Sequence, residues 1–174
     1  SELEQDQEVA IIPIVISSYG GDIDVVSAMR DIIRTSGKPV ATIAFGKAMS
    51  AGAALLACGS KGLRFAAQNT AIMIHEISAG AEGKAEDIRN SAADIVRTNK
   101  KFMRALAADM GMPYSKLMAE LQRRKNTDWF LSAKQAKALG MVDHIGVPRV
   151  VVVPASVQIA VPQSVMNAAA KKQK

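Results

Sequence analysis

Residues 46–59, Gly-Lys-Ala-Met-Ser-Ala-Gly-Ala-Ala-Leu-Leu-Ala-Cys-Gly, constrain the fold more than any other part of the chain. Most side chains there are small, so the segment reads as a tight, glycine-flanked turn feeding a helix packed so closely that mostly alanine and glycine fit. β-prone runs lie on both sides of it, at residues 40–45 before and at residues 63–67 and 71–75 after. Upstream, residues 9–16 are an apolar run that predicts a buried strand interrupted by Pro13. Ser17-Ser18-Tyr19-Gly20-Gly21 marks a turn and Asp22 stands at an N-cap position. Ile23, Val26, Met29 and Ile33 then recur at helical spacing until Gly37-Lys38-Pro39. Strand, helix, strand, helix, strand is the order of an α/β domain with a mostly parallel sheet flanked by helices.

The remainder is largely helical. Residues 84–110 carry Ile88, Ala92, Ile95, Val96, Phe102, Met103 and Leu106 along one side. A helix of that length reaches about 40 Å, more than a small sheet covers, so part of it is expected to project and meet a partner. Gly111 ends it, Pro113 opens another helix to about Arg124, and Ser132 with Gln135 forms a capping box for a third that ends at Gly140. Residues 141–145 return as a strand. Two regions are predicted: a domain over residues 1–146 and an extension over 147–174, the latter with an edge strand at 150–153 followed by a flexible tail.

Composition removes several function classes. With 174 residues the chain builds one domain of ordinary size. No apolar run approaches the roughly 18 residues of a membrane helix. The single cysteine, Cys58, excludes a disulfide framework and a multi-cysteine metal site, and suits a reducing, cytoplasmic setting. The net charge of +6 owes half its excess to Lys171, Lys172 and Lys174, and aromatic residues are 4%, so no basic, ring-lined nucleic-acid surface is expected. The basic run Arg123-Arg124-Lys125 reads as a solvated helix end.

Three residues stand where chemistry gathers. Ser50 lies at a strand-to-helix turn, where the following amides can hold negative charge; it also fits a plain helix cap. His75 ends an apolar strand, the edge of an α/β sheet where ligand groups collect, though a hydrogen-bonded structural histidine fits as well. Asp128 sits in a polar turn against Trp129-Phe130-Leu131 and is equally a turn or cap aspartate. His144 looks peripheral. Together the three suit nucleophilic catalysis: a serine needs an imidazole to take its proton, and the imidazole needs a carboxylate to fix its tautomer. The amides of Gly21 and Ala51 are placed in sequence to flank an oxyanion.

The anchors Ser18-Tyr19-Gly20-Gly21, Gly46-Lys47-Ala48-Met49-Ser50-Ala51-Gly52-Ala53, Lys61-Gly62-Leu63-Arg64-Phe65, Asn69, Met73-Ile74-His75, Asp128-Trp129-Phe130-Leu131-Ser132-Ala133 and Gly140-Met141-Val142-Asp143 occur in order. Through them the chain resembles the proteolytic subunit of the Clp protease, a family of ring-forming serine peptidases. The resemblance runs from about residue 9 to residue 145. It implies a crotonase-like α/β fold in which the helix near residues 84–110 is the projecting handle that interlocks two rings. It also implies Ser50 as nucleophile, His75 as general base, Asp128 as orienting acid, and Gly21 and Ala51 as oxyanion amides. Substrate peptide would be bound by Gly20, Ser78, Ala79 and Gly80, with residues 78–83 as a binding strand. The implied partners are further copies of the chain in a homo-oligomeric ring, unfolded polypeptide substrates and a separate AAA+ unfoldase ATPase. No cofactor, metal, nucleic acid or membrane is implied.

The chain departs from the family pattern in places. Tyr19 replaces the usual proline before the paired glycines, Glu76 follows the histidine, and Thr127 and Trp129 flank Asp128 where an arginine helps join the rings. The family's leading elements, including the loops that meet the ATPase, have no counterpart before residue 9, and the tail after residue 145 is additional. These departures motivate an alternative, a catalytically idle ring or shell component with an assembly role. An acyl-CoA enzyme of the same fold leaves the three side chains unused, and a Ser50–Lys47 pair leaves His75 unexplained.

Overall fold

The computed structural model describes residues 11–125, 127–153 and 156–160. The chain enters the sheet as β1 (Ile12–Ser18) and turns at Asp22, whose Oδ1 accepts the Asp24 and Val25 amides at 2.8 and 3.0 Å to start α1 (Ile23–Thr35). Val26 and Ile33 are the buried members of the helical stripe.

Strand β2 (Val40–Met49) runs past the expected stop at residue 45, and the reason is a change of partner. Its first half pairs in parallel with β3 (Arg64–Ala66) from Thr42↔Arg64 to Ala44↔Ala66. Its second half pairs in parallel with β4 (Ala71–Ile74) from Lys47↔Ala71 to Met49↔Met73. Between the halves Gly46 takes φ +65°, a left-handed conformation that costs a glycine nothing. On the other side β1 runs parallel to β2, with its register shifted between Ile16 and Ser18. β4 also meets β5 (Trp129–Leu131) antiparallel and β3 meets β6 (His144–Ile145) parallel, completing a six-stranded sheet. The α/β class and mostly parallel sheet follow the sequence pattern.

β1 differs from the fully buried strand expected of it: Ile16 is its one buried side chain and Val15 is exposed. Among the described residues its partner is β2 alone, and such an edge tolerates the missing N–H of Pro13. Residues 141–145 form less strand than expected: the ladder to β3 starts at His144, and Met141 and Val142 lie buried in the core ahead of it. A strand occupies the segment expected at 150–153. β7 (Arg149–Val153) does not join the main sheet but pairs antiparallel with β8 (Ser156–Ala160) as a two-stranded sheet, a local partner whose closure costs little chain entropy. The predicted tail beyond residue 160 lies outside the described residues.

Helix α2 (Ala51–Ala57) fills the centre, burying Ala51, Gly52, Ala53, Ala54, Leu56 and Ala57, as its composition requires. Helix α3 (Ala85–Met110) buries Met103, Leu106, Ala107, Asp109 and Met110 at its C-terminal end, whereas its N-terminal half stands free, with Val96 66% exposed. Helices α4 (Tyr114–Arg123) and α5 (Ala133–Ala138) complete the cover. The expected capping box starts α5: Ser132 Oγ accepts the Gln135 amide and Gln135 Oε1 accepts the Ser132 amide. Among the described residues no helix is long and apolar enough to cross a membrane.

Two carboxylates tie these layers together. Asp109, 2% exposed, binds Arg30 at 2.7 Å and also Arg34, both from α1. Its backbone carbonyl accepts from Lys61 and from Arg64, the latter at 3.0 Å. Asp143 receives the Arg64 guanidinium at 2.6 and 2.8 Å and the amides of Gly62 and Arg64. Burial pushes the Asp143 carboxyl up, but those hydrogen bonds and the Arg64 charge outweigh it and hold it below the usual carboxylate range. Its stabilisation is therefore complete above the unfolded-state value near 3.9 and is lost as the pH falls through the lowered native value. Asp143→Asn should lower the midpoint of thermal unfolding at pH 7 and narrow its gap to wild type as the pH approaches 3; a gap constant with pH would contradict this origin. Burial, with the charge of Asp109 second, pushes the Cys58 thiol up to about 12, leaving it protonated and a poor nucleophile.

Candidate active site

Ser50 is the residue between β2 and α2, and the turn holds it in a conformation that side chains rarely adopt, φ 53° and ψ −120°. Its amide donates to Met73 O at 2.8 Å, and its carbonyl accepts from Ala53 and Ala54 at 3.0 and 3.1 Å, so both neighbouring elements enforce the strain. A plain helix cap would turn its hydroxyl onto the first helical amides. This one makes no such bond and instead lies 2.8 Å from His75 Nε2.

His75 and Asp128 meet through strand register. β4 and β5 pair antiparallel with Ile74 opposite Trp129, so the next residue of one strand faces the preceding residue of the other. His75 Nδ1 lies 3.6 Å from Asp128 Oδ1, within ion-pair range but long for a hydrogen bond. The two side chains are 23% and 55% exposed, so the pair is open to water. Serine, imidazole and carboxylate thus stand in line.

The loop ahead of α1 closes the other side. Gly20 has φ +118°, and a Cβ there would lie 2.8 Å from Ser50 Cβ and 3.0 Å from Met49 O, so only glycine lets this loop lie against the serine. Tyr19, at the usual proline position, is stapled from β2: Lys47 Nζ sits 3.5 Å from its ring centroid. The adjoining Lys47 ammonium holds the Tyr19 phenol below its usual range. Lys47 is engaged with Tyr19, while Ser50 Oγ faces His75.

These residues open on a cleft of about 510 Å³. Gly21, Ser50, Ala51 and His75 line it, together with Ile77, Ser78 and Ala79 from the segment after β4 and Ile95, Thr98 and Phe102 of α3. Of the expected substrate contacts, Ser78 and Ala79 line the cleft, Gly20 supports Ser50 from behind, and Gly80 is exposed outside the lining. Residues 78–83, expected as a binding strand, have no regular structure, and among the described residues no strand pairs with them.

Two features escaped the sequence reading. Arg124, read as part of a solvated helix end, stacks its guanidinium 4.1 Å over the buried Trp129 ring and so steadies the turn that carries Asp128. Asn99 on α3 binds the two residues after His75, with no local pattern to announce it. Among the described residues no group of three or more His, Cys, Asp or Glu side chains is placed to hold a metal ion. The sequence from residue 2 to residue 149 matches the Clp protease family, a span that takes in the whole main sheet and both walls of the cleft, and the chain therefore belongs to that family.

Proposed function

We propose that the chain is a serine-type endopeptidase that hydrolyses peptide bonds of unfolded polypeptides. The observation that carries this reading is the 2.8 Å contact between His75 Nε2 and the hydroxyl of a strained, uncapped Ser50 at the head of an open cleft. In the proposed reaction Ser50 Oγ attacks the scissile carbonyl carbon as His75 Nε2 takes its proton, and Asp128 balances the imidazolium that forms. The Gly21 and Ala51 amides receive the oxyanion. The intermediate collapses as His75 returns the proton to the leaving amine; water then repeats the sequence on the acyl-serine.

The peptidase unit is proposed to occupy residues 1–146, with 147–174 as an extension, and to work as a homo-oligomeric ring in the cytoplasm. The exposed half of α3, with Ile88 and Val96 on its surface, supports a partner there. A separate AAA+ ATPase would supply unfolded substrate. A fluorophosphonate probe should label the purified protein, and Ser50→Ala should abolish labelling. Equal labelling of both would reject Ser50 as nucleophile.

The exposure of Asp128 and its 3.6 Å separation from His75 favour a second reading, an idle shell component. Peptide hydrolysis by the wild-type chain, lost in Ser50→Ala, would dismiss it.

A further inference from the structure

We propose that Asn99 is a positioning residue of this cleft, one that locks the two residues following His75 onto α3. The inference rests on the peptidase reading for its catalytic consequence and on geometry alone for the lock. The Ile77 amide donates to Asn99 Oδ1 at 3.1 Å, and Asn99 Nδ2 donates to Glu76 Oε1 at 2.5 Å. A backbone N–H can only donate and a carboxylate can only accept, so the partners leave one orientation for the Asn99 amide. Both ends of one planar group are thus spent on consecutive residues of another segment.

That segment has little else to hold it. β4 ends at Ile74 and α3 starts at Ala85. Among the described residues, the hydrogen bonds from residues 76–83 to the rest of the chain are the two to Asn99. Upstream of the lock is His75, whose ring must meet Ser50; downstream are Ser78 and Ala79, which line one wall of the cleft. On the helix, Asn99 adjoins Thr98 and lies one turn from Ile95 and Phe102, which line the same cleft. Asn99 therefore joins the two lining segments to each other and fixes the backbone from which the imidazole approaches the serine. The charge on Glu76 strengthens the lock, since a hydrogen bond to a carboxylate is shorter and stronger than one between neutral groups.

The test uses the full chain, with rates of Ser50 modification by a fluorophosphonate and amide hydrogen exchange at Ile77 as separate readouts. Asn99→Ala should slow modification by roughly tenfold or more, the scale of a small misplacement of reacting groups, and should speed Ile77 exchange. Asn99→Asp keeps an acceptor for the Ile77 amide but sets a carboxylate against Glu76, and should also slow modification. The double variant N99D/E76Q reverses donor and acceptor, and should return the rate to within about threefold of wild type, a coupling that additive effects cannot produce. Recovery in the double variant without recovery of thermal stability would separate positioning from general support of the fold. The proposal is overturned if Asn99→Ala leaves Ile77 exchange unchanged, or if N99D/E76Q shows no recovery over N99D. Failure of the wild type to label would reject the peptidase reading instead, and Ile77 exchange would still decide whether Asn99 forms the lock.

Discussion

Replacing His75 with alanine should reduce peptide hydrolysis by about 10⁵- to 10⁶-fold, close to the loss on replacing Ser50, because a serine hydroxyl without its base is hardly a nucleophile at neutral pH. The two losses should not add, since each removes the same proton transfer. Asp128→Asn should cost less than the roughly 10⁴-fold seen where the orienting acid is buried and firmly hydrogen-bonded. At 3.6 Å and 55% exposed, Asp128 is too far and too open to grip the imidazole firmly. Arg124→Ala, which frees the Trp129 ring beside that turn, should move activity in the same direction as Asp128→Asn and by less. Steady-state rates on an unstructured peptide decide the ordering: a His75→Ala enzyme within tenfold of wild type would remove the imidazole from the mechanism.

The second large effect is on stability. Asp109→Ala should destabilise the fold by about 3 kcal/mol, the lower end of the range for breaking a buried ion pair by removing one partner. The lower end applies because Arg30 and Arg34, at 27% and 48% side-chain exposure, can turn partly to water once the carboxylate is gone. For a domain of this size that is a fall of roughly 6–12 °C in the unfolding midpoint. Asp109→Asn should recover part of the loss, keeping the shape and one acceptor without the charge. Calorimetry at pH 7 checks both, and an Asp109→Ala midpoint within 2 °C of wild type, against the roughly 2–4 °C expected per kcal/mol, would show that the two arginines hold α1 without it.

Legibility from sequence followed the range of the interaction. Asp22 and Ser132 with Gln135 act on neighbours two or three positions away, and each could be placed from the sequence, whereas Gly20 and the small residues of α2 announced close packing by composition without naming what they pack against. Ser50 and His75 could be nominated because each ends a strand, and strand ends in α/β sheets collect chemistry. Asp109 was readable in principle: a charge on the stripe that also carries Leu106 and Met110 must be paired or exposed, yet its partners Arg30 and Arg34 are remote in the chain. Asn99 left no trace at all, since an asparagine inside a helix fits a solvated face equally well. The absence of strand structure at residues 78–83 was equally hidden, because a strand exists only where another segment offers it hydrogen bonds, and composition does not count neighbours.

The change of partner along β2 has a kinetic meaning. Ser50 follows a strand whose two edges are occupied by β1, β3 and β4, drawn from residues 12 to 74, and its own amide is held by Met73. The strained turn lacks its Met73 anchor until β2 and β4 have paired, and the contacts among these strands join residues distant in sequence and are slow to form. A chain still folding thus presents a relaxed, ordinary serine. On the proposed peptidase reading, hydrolytic competence waits until these strands have paired, and a newly made, still extended copy is no threat to its neighbours.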